Sequence, residues 1–215
     1  MSIANELARI QSAKTDLASA IVEKGGTVPT GALLDAFAGA VRALPSGGDT
    51  SVEDGMVIRT ISEYTNARVS RIGPHAFGYC SSLTSVSFPA CTNIGSYAFT
   101  KCSSLTNIFF QACESIRISA FISCTSLTFV SLPVCTNIDV YAFCSCYHLL
   151  SIYLGASTVC NLKDRNAFSS TPISNYTAST GGVYGSIFVP ASLVSQYKTA
   201  TNWTYFADRI TAIPE

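Results

Sequence analysis

Four segments of equal length follow one another without a gap between Arg71 and Thr158: RIGPHAFGYCSSLTSVSFPACT (71–92), NIGSYAFTKCSSLTNIFFQACE (93–114), SIRISAFISCTSLTFVSLPVCT (115–136) and NIDVYAFCSCYHLLSIYLGAST (137–158). A fixed period of this length is typical of a solenoid, in which each repeat forms one coil that cannot bury its apolar face alone. The sequence therefore predicts a stack of coils that share one continuous core.

The same apolar positions recur in each segment and mark the expected core. They are Ile72, Ile94, Ile116 and Ile138; Phe77, Phe99, Phe121 and Phe143, each after an alanine; Cys80, Cys102, Cys124 and Cys146; Leu83, Leu105, Leu127 and Leu149; Val86, Ile108, Val130 and Ile152; and Phe88, Phe110, Leu132 and Leu154. The alternation Val86-Ser87-Phe88 has period two and predicts a short strand. Stacked coils would pair these strands in parallel, about 4.8 Å apart.

The repeated pattern A-F-x-x-C-x-x-L-x-x-V/I-x-F/L, followed by N-I-G-x-x-A-F, resembles the BspA-like leucine-rich repeats over residues 57–190. The resemblance implies an α/β leucine-rich-repeat solenoid with parallel strands stacked at the 22-residue period. It also implies a parallel sheet on one face and irregular or short helical segments on the other. Known members are mostly surface or virion proteins that contact other macromolecules, so the resemblance implies recognition rather than catalysis.

Residues 1–44 are predicted to form a helical segment for attachment or oligomerisation. Its apolar seam consists of Ile3, Leu7, Ile10, Lys14, Leu17 and Ile21. This spacing is that of an a/d heptad seam of about three heptads, with Lys14 as its polar member. Two interpretations stay open: a short homo-oligomeric coiled coil, with a trimer favoured, or an amphipathic helix packed against a second helix that ends at Leu44.

The stretch NELARIQSAKTDLASAIVEKG (5–25) is similar to the start of tail-associated proteins from phages and prophages of Gram-positive bacteria. This resemblance implies a virion protein at the phage tail that contacts other virion proteins through its N-terminal helices. The alternative is an adhesin on the bacterial cell surface. The first residues show no signal-peptide core and no cleavage site, which favours release with the virion.

The chain is expected to divide into four parts. The helical segment 1–44 precedes a linker at 45–56, the solenoid at 57–190 and a C-terminal cap at 191–215. Within the solenoid, Ile61 aligns with the Leu83 column, the register slips by three residues before Phe168, and residues 186–190 read as the last strand. In the cap, residues 193–197 predict a short helix and Trp203 is expected to be buried.

Composition excludes several classes of partner. The chain has 13 basic and 13 acidic residues, and only five charges fall within the four repeats, at Arg71, Lys101, Glu114, Arg117 and Asp139. Nucleic-acid binding needs clustered lysine and arginine for the phosphates, so a nucleic acid is not expected as a partner. No apolar run is long enough to cross a bilayer, so membrane insertion is not expected either.

Six of the nine cysteines recur at a constant spacing of half a repeat, from Cys80 to Cys135, and so form two columns in the stack. Neighbours within one column lie within reach of a disulfide, but an odd total and repeat-locked spacing favour cysteine as a small apolar core residue. Zinc is disfavoured because no pair of cysteines has a matching second pair. The sequence therefore predicts no metal and no cofactor.

The sequence also contains no catalytic motif. G-x-S-x-G, H-E-x-x-H and P-loop patterns are all missing, and the two histidines, His75 and His148, occupy unrelated repeat positions. Within the repeats, the only carboxylates are Glu114 and Asp139, more than one coil apart, so a general acid/base pair is not expected. We therefore expect a protein without enzymatic activity.

The residues that flank the central valine or isoleucine of each strand are expected to point outward. They place four aromatic side chains among hydroxyls and an amide, and the candidate binding residues are Asn107, Phe109, Phe129, Ser131, Ser151, Tyr153 and Phe188. Exposed apolar patches rimmed by polar residues mark interaction sites, and such a surface suits a protein or the sugar rings of a cell-surface glycan. In the alternative interpretation, the C-terminal insertion or a neighbouring subunit covers these aromatics.

Overall fold

The computed structural model describes residues 51–52, 62–174 and 180–214, with the backbone alone for residues 51–52. The predicted helical segment 1–44, its heptad seam and Ile61 lie outside these residues. They stay predictions.

The chain coils so that each strand pairs in parallel with the strand one coil later. One sheet, the short-strand sheet, contains in order β1 (Ser51–Val52), β3 (Arg71–Ile72), β5 (Asn93–Ile94), β7 (Ser115–Ile116), β9 (Asn137–Ile138) and β11 (Asn161–Leu162). A second, the long-strand sheet, contains β6 (Asn107–Phe109), β8 (Phe129–Leu132), β10 (Ser151–Leu154), β12 (Ser186–Val189) and β13 (Ile210–Ala212). In addition, β2 (Glu63–Thr65) pairs with β4 (Ser85–Ser87). The solenoid predicted from the repeats is thereby confirmed.

One feature of the architecture was not predicted and one detail was wrong. The short-strand sheet was not predicted; it forms because two-residue strands of successive coils are in register, as in Asn93↔Ser115 and Ile94↔Ile116. The strand at 186–189 is not the last, because β13 pairs with it in parallel through Ile187↔Ile210. Residues 51–52, within the predicted linker, pair with Arg71–Ile72.

The core of the solenoid is built from columns of identical or similar side chains. The five phenylalanines Phe77, Phe99, Phe121, Phe143 and Phe168 form one such column, called here the phenylalanine stack, and all are fully buried. Their ring centroids are 5.0, 5.0, 5.3 and 5.7 Å apart, and neighbouring planes lie within 5° of parallel. Each inner ring therefore contacts the ring of the coil before it and the ring of the coil after it, which holds neighbouring coils together.

The turns that carry the phenylalanine stack contain a second repeated feature, a residue with a left-handed backbone. Tyr79, Lys101, Ser123, Ser145 and Ser170 occupy the same turn position, with φ between 57° and 65°. The N–H of each of the first four donates to a carbonyl of the next coil, at Thr100, Ile122, Cys144 and Ser169, with N···O distances of 2.7 to 2.9 Å. These bonds connect neighbouring coils outside the sheets.

All nine cysteines are free thiols, and all but the half-exposed Cys144 are buried. In one column the thiols also donate hydrogen bonds across the coils: Cys102 to Phe77 O, Cys124 to Phe99 O and Cys146 to Phe121 O, with S···O distances of 3.1 to 3.2 Å. Burial is the main cause that raises the pKa of the thiols of Cys91, Cys113, Cys124 and Cys146. The buried cysteines therefore serve as small apolar core residues, as predicted.

After the fourth repeat the register changes in two steps. Asn161 pairs with Asn137, a separation two positions longer than the period of the repeats. Phe168 stacks on Phe143, and these two residues are separated by one position more than Asn137 and Asn161 are. The total slip of three positions agrees with the prediction. Short 3-10 helices at Arg165–Phe168 and Pro172–Ser174 fill this last coil, and part of the insertion between Ser174 and Thr180 lies outside the described residues.

The C-terminal cap covers the end of the core. It consists of a 3-10 helix (Ala191–Leu193), α1 (Val194–Thr199) and a terminal 3-10 helix (Trp203–Arg209) that leads into β13. Trp203 is 1% exposed, as predicted for a cap residue. Side chains of the cap bond the edge of the short-strand sheet: Trp203 Nε1 donates to Cys160 O at 2.6 Å, Tyr197 Oη accepts from Cys160 N at 2.9 Å, and Asn202 Nδ2 donates to Leu162 O at 2.8 Å.

Candidate interaction surface

The outward residues of the long-strand sheet form two columns that run across the coils. Strand pairing sets Asn107, Phe129, Ser151 and Ser186 side by side in one column, and Phe109, Ser131, Tyr153 and Phe188 in the other. Inward positions between them, such as Ile108, Val130 and Ile152, are fully buried. The alternation of the strands therefore places the predicted residues on one outer face.

Four aromatic side chains on this face contact one another and form a continuous band, called here the aromatic ridge: Phe109, Phe129, Tyr153 and Phe188. Successive ring centroids are 5.2, 5.2 and 4.5 Å apart, with planes at 37°, 44° and 18°. Phe109 at one end is 58% exposed, and the other three are half-buried. The ridge is thus an apolar strip supported from below by the core.

The spacing of the ridge limits how a ligand can contact it. A sugar ring inserted between two aromatic rings would need about 7 Å between them, since each carbon contact takes about 3.5 to 4.0 Å. Neighbouring ridge rings are no more than 5.2 Å apart, so the inner faces of the ridge are closed to sugar stacking. A ligand instead meets the ring edges along the ridge, or the outer face of the exposed Phe109 ring.

The polar residues beside the ridge are uncharged. Asn107 is fixed by two side-chain hydrogen bonds, one from its own Nδ2 to Thr106 Oγ1 at 3.2 Å and one from Thr128 Oγ1 to its Oδ1 at 3.3 Å. Ser131 and Ser151 are half-buried next to the aromatic rings. Across β6, β8, β10 and β12 no outward residue carries a charge, which makes the surface suitable for an uncharged partner.

Groups with catalytic potential do not converge within the described residues. His75 stacks on Tyr97 with centroids 5.0 Å apart, whereas Nδ1 of His148 lies 2.7 Å from the carbonyl oxygen of Thr125. The Asp139 carboxylate lies 4.0 Å from the Arg117 guanidinium on the surface. In residues 62–174 and 180–214 no three of His, Cys, Asp and Glu are grouped so as to hold a metal ion.

One further surface was not identified from the sequence. An open pocket of about 450 Å³, called here the cap pocket, is lined by Arg165, Asn166, Ser169, Ser170, Ser174 and Tyr205, with the buried Phe206 behind them. It forms where the last turn of the solenoid meets the terminal 3-10 helix. In the sequence, the slip in register before Phe168 indicates that the last coil departs from the regular repeat. The slip alone does not predict a pocket there.

Comparisons with known proteins agree with the repeat pattern. The family described as BspA type leucine rich repeat region matches six copies over residues 60–181. No curated protein matches the chain. One solved structure, a leucine-rich repeat protein from Eubacterium ventriosum, is 18% identical, with a TM-score of 0.34 over 52% of this chain and 43% of that chain. The chain thus spans less than half the length of that structure.

Among the residues that the structure describes, no helix has the length and apolar content that a membrane crossing requires.

Proposed function

We propose that this chain, which belongs to the BspA-type leucine-rich repeat family, is a non-enzymatic recognition protein that binds its partner through the aromatic ridge. Stacked repeats build extended surfaces of this kind, and these repeats characteristically serve protein binding. The observation that carries the proposal is the 58% exposure of Phe109 at the end of a contiguous aromatic strip. A surface without a binding role would be expected to place polar side chains at these outward positions.

The chemistry of the ridge defines the partner that it suits. Aromatic side chains are enriched at the centres of protein interfaces, where they supply large apolar contact area at a low entropic cost. The ridge is bordered by serine hydroxyls and the fixed amide of Asn107. This combination fits an uncharged, partly apolar protein surface, or a cell-surface glycan that contacts the outer face of Phe109.

The binding role can be tested by removing the ridge. We expect the triple variant Phe109→Ser/Phe129→Ser/Tyr153→Ser to bind Gram-positive cell walls at least about tenfold more weakly than the parent chain, because the central aromatics of an interface carry most of its binding energy. The melting temperature is expected to change little, since these side chains lie above the core. Sedimentation with purified cell walls measures the binding, and circular dichroism measures the melting.

A matched control is available on the turns of the solenoid. Tyr79, Tyr97 and Tyr141 are 49%, 38% and 42% exposed, so their triple replacement by serine removes a similar amount of exposed aromatic surface elsewhere. Parent-like binding is expected for this control. Equal binding by the ridge variant and the parent, or a fall of many degrees in its melting temperature, would show that the ridge is not the binding surface.

We further propose that the protein acts on a phage or prophage particle, at the tail, and is held there or joined to its own copies by residues 1–44. The support is the heptad seam from Ile3 to Ile21 and the similarity of residues 5–25 to phage tail-associated proteins. A free-standing adhesin on the bacterial surface is the alternative.

Light scattering distinguishes these two settings. The full chain is expected to have the mass of a trimer, and a chain that begins at Gly48 is expected to be a monomer, because the truncation removes the whole seam. The second chain keeps every residue that the structure describes. A monomer in both cases would contradict the coiled coil and favour the adhesin.

A further inference from the structure

The cap pocket lies where a repeated hydrogen-bonding pattern stops. In four successive turns, the residue with positive φ donates its N–H to a carbonyl of the following coil, as in Ser123 N to Cys144 O at 2.8 Å and Ser145 N to Ser169 O at 2.9 Å. Ser170 is the fifth such residue, with φ of 58°. Because no equivalent turn follows it, its N–H makes no hydrogen bond to any residue that the structure describes. A backbone donor in this situation needs water or a ligand as its acceptor.

One guanidinium, that of Arg165, borders the same pocket. The Arg165 guanidinium lies over the ring of Tyr205, with Cζ 4.1 Å from the ring centroid, and forms no ion pair within residues 62–174 and 180–214. A guanidinium held over an aromatic face is fixed in place but keeps its N–H groups available in its own plane. Arg165 is thereby placed to bind an anion with little loss of side-chain freedom.

The remaining groups of the pocket add donors and no negative charge. The side chains of Asn166, Ser169 and Ser170 make no hydrogen bond to another described residue, and no acidic residue lines the pocket. The adjacent Asp164 does not line the pocket; it caps the 3-10 helix that begins at Arg165, where its Oδ1 accepts from the N–H of Asn166 at 2.8 Å. The pocket therefore combines one positive charge, one unmatched backbone N–H and several neutral donors.

We propose that the cap pocket binds an oxyanion, the carboxylate or phosphate group of a ligand. One oxygen accepts from Ser170 N–H, in the position that a carbonyl of the next coil would occupy, and the guanidinium of Arg165 supplies the charge-assisted hydrogen bonds. This site is separate from the aromatic ridge, so it does not depend on the function proposed for the ridge.

The proposal can be tested by amide NMR on the full chain. Inorganic phosphate, acetate and N-acetylneuraminate would be titrated separately at constant ionic strength, and the Ser170 amide resonance followed. We expect at least one of these probes to shift that resonance saturably. Saturation by phosphate alone would identify a phosphate-bearing ligand, whereas saturation by the two carboxylates would identify an acidic sugar or peptide carboxylate. No saturable shift with any probe would overturn the proposal.

Two arginine variants separate a specific site from general charge attraction. Arg165→Gln is expected to weaken the binding at least about tenfold, because hydrogen bonds to a charged group contribute most of the affinity for an anion. Arg209→Gln is the matched control, since Arg209 also lies over a tyrosine of the C-terminal region, with Cζ 3.9 Å from the Tyr184 ring centroid. Parent-like binding is expected for this control, and equal weakening by both variants would contradict the site.

The role of the backbone donor has its own variant. Ser170→Gly removes the hydroxyl but keeps the N–H and tolerates the positive φ, so its affinity is expected to stay within about twofold of the parent value. A loss as large as that of Arg165→Gln would assign the contact to the hydroxyl instead and overturn the position given to the anion. The triple-serine ridge variant should keep this binding, which separates a failure here from a failure at the ridge.

Discussion

Raising the pH from 8 to 10 is expected to destabilise the solenoid, although the full chain has a formal net charge of zero at neutral pH. Burial raises the pKa of the thiols of Cys91, Cys113, Cys124 and Cys146 above the value in the unfolded chain. Their contribution to stability is fully present below the unfolded-state pKa of about 8.5 and is lost as the pH rises above it toward the folded-state pKa, because only the unfolded chain then releases these protons.

The size of the effect follows from the number of thiols. Each thiol that ionises only in the unfolded state lowers the free energy of unfolding by about 1.4 kcal/mol per pH unit well above pH 8.5, or by about 1.6 kcal/mol between pH 8.5 and 10. Two or three such thiols would lower it by about 3 to 5 kcal/mol, a large fraction of the stability of a typical domain, which is about 5 to 15 kcal/mol. Urea titrations at pH 7, 8, 9 and 9.5, with a reductant present, measure the slope.

Single variants test whether the thiols are the cause. Cys124→Ala is expected to reduce the slope by about 1.4 kcal/mol per pH unit above pH 8.5, because it removes one buried thiol. Leu127→Ala is the control, since it also removes a fully buried side chain but one without a titratable group; it lowers the stability, whereas the slope should stay at the parent value. A stability that does not change between pH 8 and 9.5 would contradict the explanation.

Replacing Phe121 with alanine is expected to lower the free energy of unfolding by about 3 to 5 kcal/mol, the usual cost of truncating a buried phenylalanine. Phe121 lies in the middle of the phenylalanine stack, between Phe99 at 5.0 Å and Phe143 at 5.3 Å. The change therefore weakens two coil-to-coil interfaces at once, and in a repeat protein such interfaces supply much of the stability. Urea denaturation followed by circular dichroism measures the loss.

Phe109→Ala provides the matched comparison, because it makes the same chemical change on the aromatic ridge. Phe109 is 58% exposed and contacts one aromatic ring, that of Phe129, so its loss is expected to cost about 0.5 to 1 kcal/mol. If both variants lose the same stability, the ridge is part of the core and its exposed position would need another explanation.

The sequence predicted the solenoid and the position of the ridge because both depend on local periodicity. The columns of the repeat fix which residues stack, and the period of two in each strand then separates Ile108, which is buried, from Phe109, which is exposed. The short-strand sheet was missed because its strands are too short to show an alternation. β13 was missed because Ile210–Ala212 lies outside the repeated pattern.

The cap pocket was beyond prediction for a different reason. Arg165 and Tyr205 are far apart in the chain, and no repeat relates them. They meet because the terminal 3-10 helix takes the place of a further coil and covers Phe168, with Phe206 at 5.5 Å, but leaves the adjoining turn open. Such a contact depends on how two non-repeated segments pack, and one sequence contains no periodic signal for that.

The hydrogen bonds that Tyr197, Asn202 and Trp203 of the cap make to Cys160 and Leu162 all lie in the last coil of the short-strand sheet. Whole repeats upstream of it are therefore interchangeable units: a duplication or deletion of one complete repeat between Thr92 and Ser115 would keep every one of these bonds. Each such event would lengthen or shorten the outer face by one strand spacing, about 4.8 Å. Unequal recombination between the similar repeat sequences would thus produce related proteins whose solenoids differ in length but carry the same C-terminal cap.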